Sequence, residues 1–132
     1  MRISQAKIPT EHDEQVALFD WANVMSARYP VLELIHAIPN GGLRNKITAR
    51  KLKKEGVKAG VPDVFLPVAR SAKNPLFWYS HGLYIEMKRQ KGGTVTENQK
   101  WWHEKLREQG YLVKVCKGYD EAVTVISEYL GI

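Results

Sequence analysis

The run Leu83-Tyr84-Ile85-Glu86-Met87-Lys88 constrains the fold more than any other feature of this sequence. It has the composition of a core strand, yet it carries two ionisable residues. Successive side chains of a strand point to opposite faces, so Glu86 and Lys88 share one face while Met87 turns to the other. A second apolar run of strand type, Val64-Phe65-Leu66-Pro67-Val68, has Asp63 at its mouth. If the two strands pair with their ends aligned, Asp63 approaches Glu86. Two carboxylates so close repel, and a hard, oxygen-seeking divalent cation such as Mg²⁺ is the natural compensation.

Around these strands the sequence alternates between helical and extended periodicity. Thr10 followed by Glu11, His12 and Asp13 reads as a capped helix start, and the spacing predicts a helix over residues 11–28. Ala17, Leu18, Trp21 and Met25 continue an apolar stripe headed by Glu14, which directs that carboxylate inward. Residues 31–38 read as a strand that ends in the turn Pro39-Asn40-Gly41-Gly42, and residues 45–55 as a helix ending at Gly56. Residues 69–82 are expected to form a loop or irregular hairpin. Thr96-Glu97-Asn98-Gln99 is a capping box opening a helix to about Gln109. Tyr111 to Cys116 reads as a fourth strand, and Asp120 as the cap of a last helix that buries Ala122, Val123, Ile126, Tyr129 and Leu130. The order αβαββαβα implies an α/β fold: a mixed sheet of about four strands flanked by helices on both faces, in a single domain spanning residues 1–132.

Composition excludes several alternatives. With 44% hydrophobic and 26% charged residues, the chain has neither the signature of disorder nor that of a fibrous repeat. No apolar run approaches the ~20 residues that span a bilayer, and the N-terminus lacks the apolar core of a signal peptide, so a cytoplasmic protein is expected. Cys116 is the only cysteine, which rules out an internal disulfide or a Cys-x-x-Cys zinc pair, and its apolar surroundings mark it as a core residue. The net charge of +6 points to an anionic partner. Between residues 44 and 58 stand Arg44, Lys46, Arg50, Lys51, Lys53, Lys54 and Lys58 against the single acid Glu55. Such a run is either a solvated helix face or a phosphate-binding patch.

Pro62-Asp63 followed by Glu86-Met87-Lys88 resembles the PD-(D/E)xK signature of restriction-endonuclease-like nucleases. Gly60-Val61-Pro62-Asp63, the earlier His36-Ala37-Ile38-Pro39-Asn40-Gly41-Gly42, and Gln99 with Trp102 narrow the resemblance to the VRR-NUC family, in its stand-alone phage or bacterial form, over roughly residues 11–114. The resemblance implies a restriction-endonuclease-like fold with Mg²⁺ or Mn²⁺ as cofactor. It makes Asp63 and Glu86 metal ligands, the Met87 carbonyl a further ligand, and Lys88 the group that assists the attacking water. Glu14 is expected to complete the metal site from the first helix, with Glu11 and Asp13 as rivals. Gln99 has two readings: it orients the lysine or a phosphate, or it only closes the capping box of its own helix. His36 is a secondary candidate for a general base, set against a structural role at a strand end.

The function expected on this basis is metal-dependent, structure-selective endonucleolytic hydrolysis of DNA, with branched DNA such as four-way junctions as substrate. Arg44, Lys46, Arg50, Lys53, Lys54, Lys58 and Lys91 then hold the backbone through its phosphates, which gives affinity without base readout. A homodimer is expected, because resolving a junction takes two cuts and one short chain offers one centre. Phe77, Trp78 and Tyr79 are candidate interface aromatics or, equally, core residues. The alternative is a non-catalytic nucleic-acid-binding module that keeps the fold and the patch. The expected setting is the cytoplasm of a bacterial or phage-infected cell.

Overall fold

The computed structural model of the chain describes residues 7–39, 46–71 and 79–132. The turn at Asn40, Gly41 and Gly42, the basic residue Arg44, and the aromatic residues Phe77 and Trp78 lie outside the described residues. The elements are α1 (Glu11–Met25), a 3-10 turn (Pro30–Leu34), β1 (His36–Ala37), α2 (Lys46–Lys54), β2 (Val64–Leu66), β3 (Leu83–Lys88), α3 (Glu97–Glu108), β4 (Leu112–Lys117) and α4 (Tyr119–Leu130). Among the described residues no helix is long and apolar enough to cross a membrane.

The four strands form one mixed sheet in the order β1-β2-β3-β4. β1 and β2 pair antiparallel, as do β2 and β3, whereas β3 and β4 run parallel and are joined by α3 as the crossover that parallel strands require. In the antiparallel pair, Val64 faces Ile85, Phe65 faces Tyr84 and Leu66 faces Leu83. Continued by one residue, this register sets Asp63 opposite Glu86. The alternation along β3 then divides the molecule. Leu83, Ile85 and Met87 enter the core with Leu18 and Ala22 of α1 and Ala122 and Ile126 of α4. Glu86 and Lys88 turn the other way and meet His103 and Gln99 of α3.

Three expectations need correction. The strand expected over residues 31–38 is mostly a 3-10 turn, and only His36–Ala37 is extended. Pro30 opens that turn, and the buried residues Leu32 and Ile35 are three apart, which is the 3-10 period and not the strand's. For the same reason α1 ends at Met25, since the chain must leave the helix before Pro30. Asp120 does not cap α4: its N-cap is Gly118, which offers no side chain, and the amide of Tyr119 is taken by the carboxylate of Glu14. Gly56 does end the basic helix, as expected. With φ +99° it closes the turn by donating to Lys53 O, and Val57 donates to Leu52 O.

The approach to Asp63 is fixed against α3. Ala59 O accepts from Asn98 Nδ2 at 2.8 Å and from Trp102 Nε1 at 3.1 Å. Gly60 follows with φ +93°, and a Cβ there would lie 2.8 Å from Asn98 Nδ2 and 3.0 Å from Trp102 Cδ1. Gly60→Ala should therefore strain the backbone and crowd both side chains, costing about 1–3 kcal/mol of stability. Denaturant unfolding measures it, and a variant as stable as the parent would contradict this account of the lock.

Candidate active site

The centre of the site is a carboxyl group that water does not reach. Glu86 is 0% exposed and Asp63 7%. Asp63 Oδ2 accepts from the Met87 amide at 2.7 Å, so the register of β2 on β3 and the position of this side chain are set together. Glu86 Oε1 lies 3.2 Å from His103 Nε2, whereas Oε2 is buried without a geometrically satisfied hydrogen bond. The Glu86 pKa is pushed up to about 10, first by burial, then by Asp63 as close hydrogen-bonding neighbour and like charge, with Lys88 opposing. A carboxyl group so placed keeps its proton at neutral pH unless a cation is supplied.

Lys88, 7% exposed, shares the Glu86 face. Its Nζ donates to Gln99 Oε1 at 3.0 Å, and the same oxygen accepts from the Thr96 amide at 3.0 Å. Thr96 Oγ1 in turn accepts from the Gln99 amide, completing the capping box. The two readings of Gln99 are therefore not exclusive: one oxygen serves the cap and holds the lysine.

The three acids of the first turn of α1 go separate ways. Asp13 closes the capping box with Thr10, and those hydrogen bonds hold its carboxyl below the usual range. Glu14 is buried, but Gln90 Nε2 donates to its Oε1 at 2.7 Å and the Tyr119 amide donates to its Oε2. It also lines a cleft of about 250 Å³ with Pro9, Asp13, Ala17, Gln90, Tyr119 and Asp120, none of which belongs to the Asp63–Glu86 pair. Glu11 is the acid that the pair feels. Its pKa is raised by burial and by Asp63, with Lys88 opposing, and its charge contributes to raising Glu86.

Other candidates fall outside the cluster. His36 is exposed, with Nδ1 2.9 Å from Leu34 O and its ring edge-on to Phe65, which is a structural role at the strand end. Cys116 is fully buried, and burial pushes its thiol up to about 12, so it is a core residue. Met87 sends its side chain into the core, which leaves only its main chain near the site. Lys46, Arg50, Lys53, Lys54, Lys58 and Lys91 are all exposed, and α2 buries none of its residues. His103, only 4% exposed, was not singled out in the sequence. The available signal was its place after the capping box, where Gln99, Trp102, His103 and Leu106 repeat at helical spacing. Burial, then Arg107 and Lys88, lower its pKa, with Asp63 opposing.

The donor set suits a hard cation. Among the described residues no three His, Cys, Asp or Glu side chains close into a complete ligand shell. Mg²⁺, however, is commonly held by one or two carboxylates together with water and substrate phosphate. The unpartnered Glu86 Oε2 beside Asp63, with Glu11 in electrostatic reach, meets that requirement.

The VRR-NUC domain family matches residues 4–120 of this chain. A solved structure described as a VRR_NUC domain protein is similar to it, with a TM-score of 0.75 and 33% sequence identity, over 95% of this chain and 91% of that one. No curated protein matches it.

The raised Glu86 pKa has a sign that can be checked. Between the ordinary value of 4.5 and about 10, the native state holds one proton more than the unfolded chain. Stability from this group is thus fully present below 4.5 and is lost progressively as pH rises towards 10. Glu86→Gln, which is neutral at every pH, should make the cation-free protein more stable than the parent at about pH 8, with the difference closing near pH 4. Thermal unfolding in EDTA across that range reads it, and a variant less stable than the parent at pH 8 would sink the assignment.

Proposed function

The chain belongs to the VRR-NUC domain family, whose fold is of nuclease type, and from this premise we propose that it is a metal-dependent endonuclease of branched DNA centred on Asp63, Glu86 and Lys88. The observation that carries the reading is the fully buried Glu86, one oxygen anchored and the other unpartnered, set beside Asp63 on the face that Lys88 shares. Nothing in a purely binding module calls for two carboxyls packed together out of water.

In this reading the side chains of Asp63 and Glu86 would present oxygens to a cation, and the Met87 carbonyl would add a third donor, from the main chain. Glu11 takes the place in the first helix that the sequence suggested for Glu14, because both Glu14 oxygens are engaged elsewhere. These residues would hold Mg²⁺ or Mn²⁺, which would supply Lewis acidity for the phosphate and for the activation of water. Lys88, restrained by Gln99, places a positive charge where the attacking water and the scissile phosphate meet. The exposed bases of α2, with Lys58 and Lys91, hold the DNA backbone, an electrostatic grip that is indifferent to sequence. A centre that reads no bases selects by shape, which is the reason for proposing branched DNA. Two copies acting as a homodimer would supply the paired cuts that a four-way junction needs.

The deciding experiment incubates the protein with linear duplex, flap and four-way junction DNA, each in EDTA, Mg²⁺ or Mn²⁺. Cleavage is expected only with a cation and fastest on the junction. Lys88→Ala and Glu11→Gln should each reduce it on the order of 10²- to 10⁴-fold while binding persists. Glu14→Gln should chiefly lower stability, by about 1–2 kcal/mol, through loss of the α4 cap. Cleavage of equal rate in EDTA, or by the Lys88 variant, would remove the proposed centre.

The patch is tested separately by salt. Replacing Arg50, Lys53 and Lys54 together should weaken binding and flatten the slope of log K against log salt by about 0.9 for each phosphate no longer engaged. An unchanged slope returns the run to a solvated face.

A further inference from the structure

The face of α3 that covers the site touches both ionisable residues of β3. Gln99 reaches Lys88 and, one turn later, His103 reaches Glu86. Four residues of α-helix rise about 6 Å and two residues of strand rise about 6.6 Å, so helix and strand carry matching rulers. The earlier helix residue meets the later strand residue, which means that a single rigid helix can hold both members of the pair at once. Gln99 is anchored by the cap at Thr96, and the helix is tied to the Ala59 carbonyl by Asn98 and Trp102.

We infer that His103 is a positioning residue for Glu86: with a proton on Nε2 it donates to Oε1 and so fixes the direction of the unpartnered Oε2 towards the cation. This rests on the nuclease reading of the site. The geometry on which it stands is the 3.2 Å approach between two side chains that are 4% and 0% exposed, in a setting where Oε2 makes no hydrogen bond of good geometry and has Asp63 as its close neighbour. A carboxylate at the end of a flexible side chain needs such an anchor to keep one oxygen in place, and the partners behind metal ligands act in this way.

The test is Mn²⁺ binding by calorimetry on the full chain without DNA, together with steady-state cleavage of junction DNA. Glutamine places an amide nitrogen near the position of the imidazole Nε2, whereas asparagine and leucine do not. His103→Leu and His103→Asn should weaken Mn²⁺ affinity about 10- to 100-fold. They should also lower kcat with little change in KM for DNA, and His103→Gln should recover most of both. Thermal unfolding confirms that each variant folds, and should His103→Leu fail, the pair His103→Gln and His103→Asn decides. Unchanged Mn²⁺ affinity in folded His103→Asn or His103→Leu overturns the inference alone. So does His103→Gln if it is as impaired as they are, because the ring and not its donor would then matter. A parent protein that binds no Mn²⁺ overturns the metal reading of the site and this inference with it.

Discussion

An ionisable side chain without access to water must be answered by its neighbours, and most of what is distinctive here is arranged around that demand at Glu86. The strand that carries it is bordered on one side by β2 and on the other by β4, so its main chain is satisfied by the sheet. Its side chain is not. Groups from different parts of the chain surround it: Asp63 from the mouth of β2, His103 from α3 and Lys88 from the same strand face, while the like charge of Glu11 from α1 adds to the demand. Gathering groups so distant in sequence requires that register, helix placement and loop path all be fixed. The Asp63–Met87 amide bond and the close approach at Gly60 do that fixing.

The sheet consequently has two unlike faces. On the side of α1 and α4, Leu18, Ala22, Ala122 and Ile126 meet Leu83, Ile85 and Met87 in an apolar layer with almost no exposure. Burial of this kind is the main source of stability in a domain of this size. On the side of α3 the same strand offers Glu86 and Lys88, whose desolvation works against stability. A protein can hold a destabilising face only if the opposite one is well packed, and the period of two along β3 lets six residues serve both ends.

How much of this was legible in the sequence depends on whether the deciding partner was near in the chain. β3 is found where alternation predicts it, and the Thr96 capping box opens α3 as expected, because those signals lie within a few residues of each other. The approach of Asp63 to Glu86 was also readable, since aligned strand ends are enough to imply it. The run at residues 31–38 misled because a short apolar stretch has no decisive period until its burial is seen. Glu11 and Glu14 lie three apart on one helical face, so helical spacing sends both inward. Only the turn from β4 into α4, over a hundred residues on, shows that Glu14 is claimed by the Tyr119 amide. His103 was missed because helical spacing marks it only as facing inward with Gln99, Trp102 and Leu106, and what it meets there is set by the strand opposite.

α2 obeys a different constraint. None of its residues is buried and Ile47 is 80% exposed, so packing does not dictate its side chains. It is held instead by local devices: good helix formers, and a Gly56 turn that closes its last carbonyls. A segment freed from the core can carry like charges that a packed helix could not tolerate, since each remains solvated and the mutual repulsion is screened by salt. The cost of concentrating six of the chain's twenty lysines and arginines between residues 46 and 58 is therefore small, while the field they produce extends into solvent. The buried carboxyls of the sheet and the exposed bases of α2 thus obey opposite rules: the first are held out of water by the fold, and the second, left in solvent, attract a polyanion. A nucleic-acid backbone, with its regular row of phosphates, answers a row of exposed bases in a way that a small anion does not.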